Sequence, residues 1–178
     1  MQIVCILGKS GSGKSTIEHK LELLGYNRII SYTTRKPRGN EENGREYHFI
    51  TEKQFKSLID KNILMENATY SGNMYGAPRP VGSMNNVIVV EADGFRKIKE
   101  TYGSQAIGIY ISVPTDERDN RINKRGDTEG LEVTNRRKQD ELKFDNIESE
   151  VDLVIDGSES VDISVLKIME YLRSRENG

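Results

Sequence analysis

The sequence predicts an α/β domain with a mainly parallel central sheet flanked by helices. Apolar runs of strand length alternate with segments of helical period along most of the 178 residues. A glycine-rich loop lies between the first such run and the first helical segment. The stretch from Arg35 to Tyr75 interrupts the alternation with short strands of its own, which predicts a small mixed β lobe inserted in the domain.

Ile3 to Leu7 reads as the first buried strand and Ser15 to Leu24 as the helix after it. Arg28 to Ser31 is a second short strand. Thr51 with Gln54 three residues later matches a capping box for a helix over Glu52 to Lys61. The run "ILMENATYSGNMYG" reads as two short strands around a Ser-Gly-Asn turn. Val87 to Val90 and Ile107 to Val113 return to buried strand character, Phe95 to Tyr102 and Asp116 to Arg125 to helix. Leu153 to Ile155 is the last strand and Val161 to Arg173 the C-terminal helix. A chain of this length fits a single domain that buries roughly 70% of its unfolded surface.

Charge narrows the classes of partner. Lys and Arg number 26 against 28 Asp and Glu, a net charge of −2, so the uniformly basic surface of a general nucleic-acid binder is absent. Anion binding must therefore be local. The only cysteine, Cys5, lies in the apolar run "QIVCILG", where a buried structural thiol is expected and no disulfide framework can form. The apolar runs are strand-sized and too short to cross a bilayer, so no membrane contact is expected and a cytoplasmic location fits.

The strongest motif is "GKSGSGKST", residues 8 to 16. Gly8, Gly11 and Gly13 let the backbone of Gly8, Lys9, Ser10, Gly11, Ser12 and Gly13 turn its N–H groups inward. The following helix offers its positive end to a phosphate. Lys14 can reach β and γ oxygens, Ser15 can ligate Mg²⁺, and Thr16 continues the first turn. The spacing and the strand and helix flanks together point to a nucleoside triphosphate.

A second cluster, "SYTTRKPR" at 31 to 38, gathers Ser31, Arg35 and Arg38, with Tyr47 nine residues beyond. Two arginines can give a phosphate charge-assisted bidentate bonds and hydroxyls add neutral donors, a set that suits a monophosphate. Farther along, Arg121 and Arg125 are four apart and share a helix face. Arg136 follows the loop "GDTEG", which could let a lid fold over a nucleotide.

In these blocks, and in "NGREYHF", "MENATYSGNMYG", "NRINKRGDTEG" and the later "NRR", the chain resembles the guanylate kinase family over nearly its whole length. That family transfers the γ-phosphoryl group of ATP to GMP or dGMP. The resemblance implies a P-loop kinase fold with a core of about 1–33, 82–117 and 145–178, an acceptor-binding lobe of about 34–81 and a helical lid of about 118–144. It implies that Ser31, Arg35, Arg38, Tyr47 and Tyr75 hold the acceptor phosphate. Glu66 would accept hydrogen bonds from the guanine N1–H and exocyclic amine. Lys14, Arg38, Arg121, Arg125 and Arg136 would stabilise the transferring group, with Mg²⁺ accompanying ATP. A monomer or homodimer is expected.

Several positions depart from the family pattern. Ala77 stands where a Ser or Thr usually helps read guanine. The segment Glu91-Ala92-Asp93-Gly94-Phe95 replaces Asp-Ile-Asp followed by Gln-Gly. Asp93 is carried over to the acceptor site, where a carboxylate could serve Mg²⁺ through water or fix the acceptor lobe. Residues 80 to 86 are short for the usual helix, and Asp156 replaces an Asn near the adenine. Another monophosphate acceptor, or a binding module without catalysis, are the alternatives.

Overall fold

A computed structural model describes residues 1–39, 41–70, 72–82, 84–124 and 143–176. Its first strand shows the logic of the core. All five residues of β1 (Ile3–Leu7) are buried, with Ile3, Cys5 and Leu7 packing on one face of the sheet and Val4 and Ile6 on the other. A strand apolar at every position must be covered on both sides.

That cover is built as the periodicity predicts. Five strands form an all-parallel sheet in the order β2 (Asn27–Arg28), β7 (Asn86–Val89), β1, β8 (Ala106–Ser112), β9 (Leu153–Asp156). One face is packed by α1 (Lys14–Leu23) and by α5 (Val161–Glu176), through Ile17, Leu21, Val165, Ile168 and Leu172. The other is packed by α3 (Ala92–Tyr102), through Phe95 and Ile98, and by Phe144 and Ile147. Phe95 can lie this close because Gly108 of β8 has no side chain: a Cβ there would sit 2.4 Å from the ring. Burial pushes the Cys5 thiol well up, so it is an inert packing group, as expected.

A buried ion pair ties α1 to the sheet edge. The Glu18 carboxylate, 4% exposed, accepts the Val89 N–H at 3.0 Å and the Arg28 Nε–H at 2.9 Å. Burial nevertheless leaves its pKa raised. Removing Arg28 alone would strand that charge.

The second sheet is mixed, in the order β4 (His48–Phe49), β3 (Tyr32–Thr33), β6 (Asn73–Pro78), β5 (Leu64–Tyr70). It differs from expectation at its near edge. The single strand read over Arg28 to Ser31 is instead two pairs of residues: Asn27–Arg28 joins the parallel sheet and Tyr32–Thr33 the lobe sheet. The chain changes sheet between them. The hairpin β5–β6 forms as read, and α2 (Glu52–Asp60) begins at the expected capping box, Gln54 N–H to Thr51 Oγ1 at 3.3 Å and Thr51 N–H to Gln54 Oε1 at 2.8 Å. Helix α3 starts three residues earlier than the apolar pattern suggested, at Ala92, and α4 spans Thr115–Lys124. Among the described residues no helix is long and apolar enough to cross a membrane.

Candidate active site

The glycine-rich loop joins β1 to α1 as its spacing predicts. Gly11 and Gly13 adopt φ of +81° and +91°, in the left-handed region open to glycine, and Gly13 caps α1. A Cβ on Gly8 would meet Ser12 Oγ at 2.5 Å and the Ile111 carbonyl at 2.8 Å. The Lys14 ammonium donates to the carbonyls of Gly8 (2.6 Å) and Lys9 (3.1 Å), so it lies back along the loop. Ser15 and Thr16 are exposed on the first turn of α1. Beside them opens a cavity of about 350 Å³ lined by Ser12, Gly13, Thr16, Arg121, Lys124 and Gly157 among others.

Arg121 reaches this cavity from α4, donating to the Gly157 carbonyl at 2.8 Å and to Glu117 at 2.5 Å. Asp156, at the end of β9, is exposed and accepts the Ser158 N–H at 2.9 Å. Arg125 and Arg136 lie outside the described residues.

Residues predicted to hold an acceptor phosphate come together on the mixed sheet. Arg35 is buried, and its guanidinium lies 5.5 Å from the Tyr47 ring centroid and 5.6 Å from that of Phe49. The Tyr47 and Tyr75 rings meet edge to face at 6.0 Å. Burial first, and Tyr75 beside it, push the Tyr47 phenol up to about 12, which keeps its O–H available as a donor. Arg38 is half-buried on the same turn, and Ser31 sits where the chain changes sheet, its carbonyl accepting the His48 N–H at 2.9 Å. The two threonines of "SYTTRKPR" are engaged with the lobe itself. Thr33 Oγ1 donates to the Met74 carbonyl at 3.0 Å, and Thr34 Oγ1 accepts the Met74 N–H at 2.9 Å.

Glu41 organises this turn, and the sequence reading missed it. Its carboxylate accepts from both terminal guanidinium nitrogens of Arg35 at 2.9 and 3.0 Å and from the Arg38 N–H at 2.8 Å. Burial opposes ionisation, but these bonds hold its pKa below the ordinary carboxylate value. The signal is an acid three residues after Arg38.

Glu66 lies in β5, 9% exposed, its Oε1 accepting the Ala77 N–H at 3.0 Å. Its other oxygen faces the bare Cα of Gly94, where a Cβ would come within 3.2 Å. Burial is the main cause that raises its pKa to about 7; the Ala77 N–H and Lys97 lower it, and Glu91 raises it.

Asp93 sits in the first turn of α3, where it pairs with Arg96 at 2.9 Å, and Arg96 pairs in turn with Glu150. Its neighbour Glu91, the residue that precedes α3, is the acid whose charge acts on both Tyr47 and Glu66. With α3 beginning at Ala92, Asp93 lies inside its first turn and is engaged by Arg96. A second residue that sequence reasoning missed is Arg118, 4% exposed on α4 and bonded to the loop at Ser10.

Comparison with known proteins accounts for this combination. A sequence model of the family described as guanylate kinase matches residues 1–175. The chain is 35% identical over 185 residues to a guanylate kinase of Prochlorococcus marinus, covering 97% of each, and 32% identical over 179 residues to one of Desulfitobacterium hafniense, covering 96% of this chain and 88% of the relative. It is 38% identical over 134 residues to a guanylate kinase of Sus scrofa, 68% of this chain and 66% of that one. The crystal structure of guanylate kinase from Anaplasma phagocytophilum shares the fold, with a TM-score of 0.75 over 98% of this chain and 86% of that one at 24% identity. A phosphate loop beside a cavity, an Arg–Tyr cluster around buried Arg35 and a family match over residues 1–175 lead to one assignment: this protein belongs to the guanylate kinase family.

Proposed function

We propose that the chain phosphorylates GMP or dGMP by in-line transfer of the γ-phosphoryl group of ATP. One relationship carries the reading: a complete triphosphate loop lies in one chain with a buried carboxylate, Glu66, on the hairpin that carries Tyr75 of the arginine–tyrosine cluster. Ionised Glu66 can accept two hydrogen bonds from guanine, which presents an N1–H and an amine on one edge; adenine presents an acceptor at N1. Arg35, Arg38, Tyr47 and Tyr75, with Ser31, supply charged and neutral donors for the acceptor phosphate.

On the donor side the inward amides of residues 8–16, Lys14 and the end of α1 hold the triphosphate. Lys14, which donates to the Gly8 and Lys9 carbonyls, lies within the loop from which it would reach the phosphate oxygens. The acceptor is already an anion, so no strong base is required. Positioning and neutralisation of charge supply most of the rate, and Arg121, with Arg125 and Arg136, would provide the latter. The donor set suits Mg²⁺: an exposed Ser15 hydroxyl is a hard oxygen ligand next to the place of the phosphates. When bound, Mg²⁺ would neutralise charge on the β and γ oxygens. Asp93 or Glu91 would hold the acceptor lobe or serve the ion through water. We expect the enzyme to work in the cytoplasm, as a monomer or homodimer, consistent with its only thiol being fully buried.

An ADP-release assay with ATP against GMP, dGMP, AMP, UMP, CMP and dTMP tests this reading. Guanine nucleotides are expected to be the preferred acceptors, and GMP turnover no faster than the others would refute it.

A further inference from the structure

Arg118 is a buried cation without a carboxylate in salt-bridge contact among the described residues. It is one of the few charged groups in the core, and its hydrogen-bond partners are oxygens of three different segments. Its Nε–H donates to the Val113 carbonyl at the end of β8 (3.1 Å), one terminal nitrogen to Thr115 Oγ1 at the start of α4 (3.0 Å), and the other to the Ser10 carbonyl of the phosphate loop (3.4 Å). These bonds tie the end of β8, the start of α4 and the phosphate loop to one guanidinium.

The described residues contain no cis peptide. In a planar trans unit the carbonyl of Ser10 and the N–H of Gly11 point in opposite directions. A guanidinium that draws the Ser10 oxygen toward α4 therefore turns the Gly11 N–H away from α4. The close approach of the two segments reinforces this orientation. Gly11 has φ +81°, and a Cβ on it would meet the Arg118 carbonyl at 2.7 Å, so loop and helix backbones touch. The glycine is needed here for the contact as well as for the turn.

We propose that Arg118 is a positioning residue of the donor site, holding the Ser10–Gly11 peptide so that the Gly11 N–H faces the nucleotide's phosphates. The same helix carries Arg121 one turn on, at the donor cavity. The helix that bears a lid arginine is thereby latched to the loop that holds the donor, and displacement of α4 is transmitted to a phosphate-binding amide. The proposal rests on the kinase reading above, because it assigns Arg118 a role in presenting the phosphoryl donor.

The test compares wild-type chain with Arg118→Met and with Arg118→Gln, whose shorter amide can retain near partners but cannot span to Ser10. Kinetics and amide NMR are read together. In each folded variant kcat is expected to fall on the order of 10- to 100-fold, the cost of a misplaced group, with KM for GMP within about twofold of wild type. On titration with MgADP the Gly11 amide proton of wild type is expected to move strongly downfield, as a charge-assisted donor does. In the variants that shift is lost while the shift of Gly13, held by the end of α1, remains. A purely structural role would lower the melting temperature and leave both readouts unchanged. A folded variant with wild-type kcat and a wild-type Gly11 shift overturns the proposal alone, and Arg118→Gln decides it if Arg118→Met does not fold. Wild-type protein whose loop amides do not respond to MgADP overturns the donor-site reading and this proposal with it.

Discussion

The Glu66 carboxylate accepts the backbone N–H of Ala77 at 3.0 Å across the hairpin that holds both residues. The β5–β6 register shifts between Leu64 and Glu66, and such an irregularity re-aims a side chain relative to a regular ladder. Ala77, fully buried, thus contributes its amide where a hydroxyl-bearing residue was expected from the family pattern. That amide occupies one carboxylate oxygen and leaves further lone pairs for a base.

Because burial raises the Glu66 pKa to about 7, recognition of guanine should depend on pH near neutrality. The ionised carboxylate accepts both guanine donors, whereas the protonated form cannot. KM for GMP is expected to fall about tenfold from pH 6 to pH 8, following the ionised fraction, while KM for ATP stays nearly flat. The stability of the nucleotide-free protein should move the other way. The folded state binds this proton more tightly than the unfolded chain, whose carboxyl titrates near 4.5. Stability from this group therefore declines as pH rises from about 4.5 to 7. Chemical denaturation of wild type and Glu66→Gln across that range checks the sign: the variant should lack this component of the slope.

Gly94 packs its bare Cα against the same carboxylate. In Gly94→Ala the new Cβ, 3.2 Å from Oε2, can be accommodated only by moving a side chain held at its other oxygen by Ala77. We expect KM for GMP to rise several-fold, about 1 kcal/mol of lost binding, with kcat nearly retained. Steady-state kinetics with GMP varied at saturating ATP measure this.

Glu41 holds Arg35 in place against Tyr47 and Phe49 and takes the Arg38 amide as well. Glu41→Ala should release the guanidinium and loosen the turn, raising KM for GMP by roughly tenfold. Arg38→Ala should be more severe for transfer. In both, ATP affinity by calorimetric titration should remain near wild type; equal loss of ATP and GMP binding would remove these residues from the acceptor side.

Arg121 lines the cavity beside the glycine-rich loop and is anchored on the Gly157 carbonyl. Arg121→Ala is expected to lower kcat on the order of 10³-fold with smaller changes in either KM, because an arginine that neutralises the transferring group acts mainly in the transition state. Single-turnover measurement of ADP formation would show the loss in the chemical step.

What could be read from the sequence follows from how local its cause is. The phosphate loop was legible because Gly11 and Gly13 encode backbone conformations directly. The both-sided burial of Ile3–Leu7 was legible because every residue in the run is apolar. The partition of residues 27–33 between two sheets was not, since two-residue pairs carry no period. Nor was the start of α3 at Ala92, which places Asp93 in its first turn beside Arg96. Arg118 reads as one more cation on a polar helix, and only the approach of α4 to Ser10 and Gly11 reveals its depth. Glu41 gained its meaning from the fold of the turn around it.

The central claim, that Glu66 reads the base of a monophosphate held by the arginine–tyrosine cluster, is tested most directly by kcat/KM for GMP and AMP with wild type and Glu66→Gln. Wild type should prefer GMP by at least about 10³-fold, as a site built on buried hydrogen-bonding groups does, and the variant should lose most of that preference through its GMP value. Equal preference in the two proteins, or none in wild type, would contradict it.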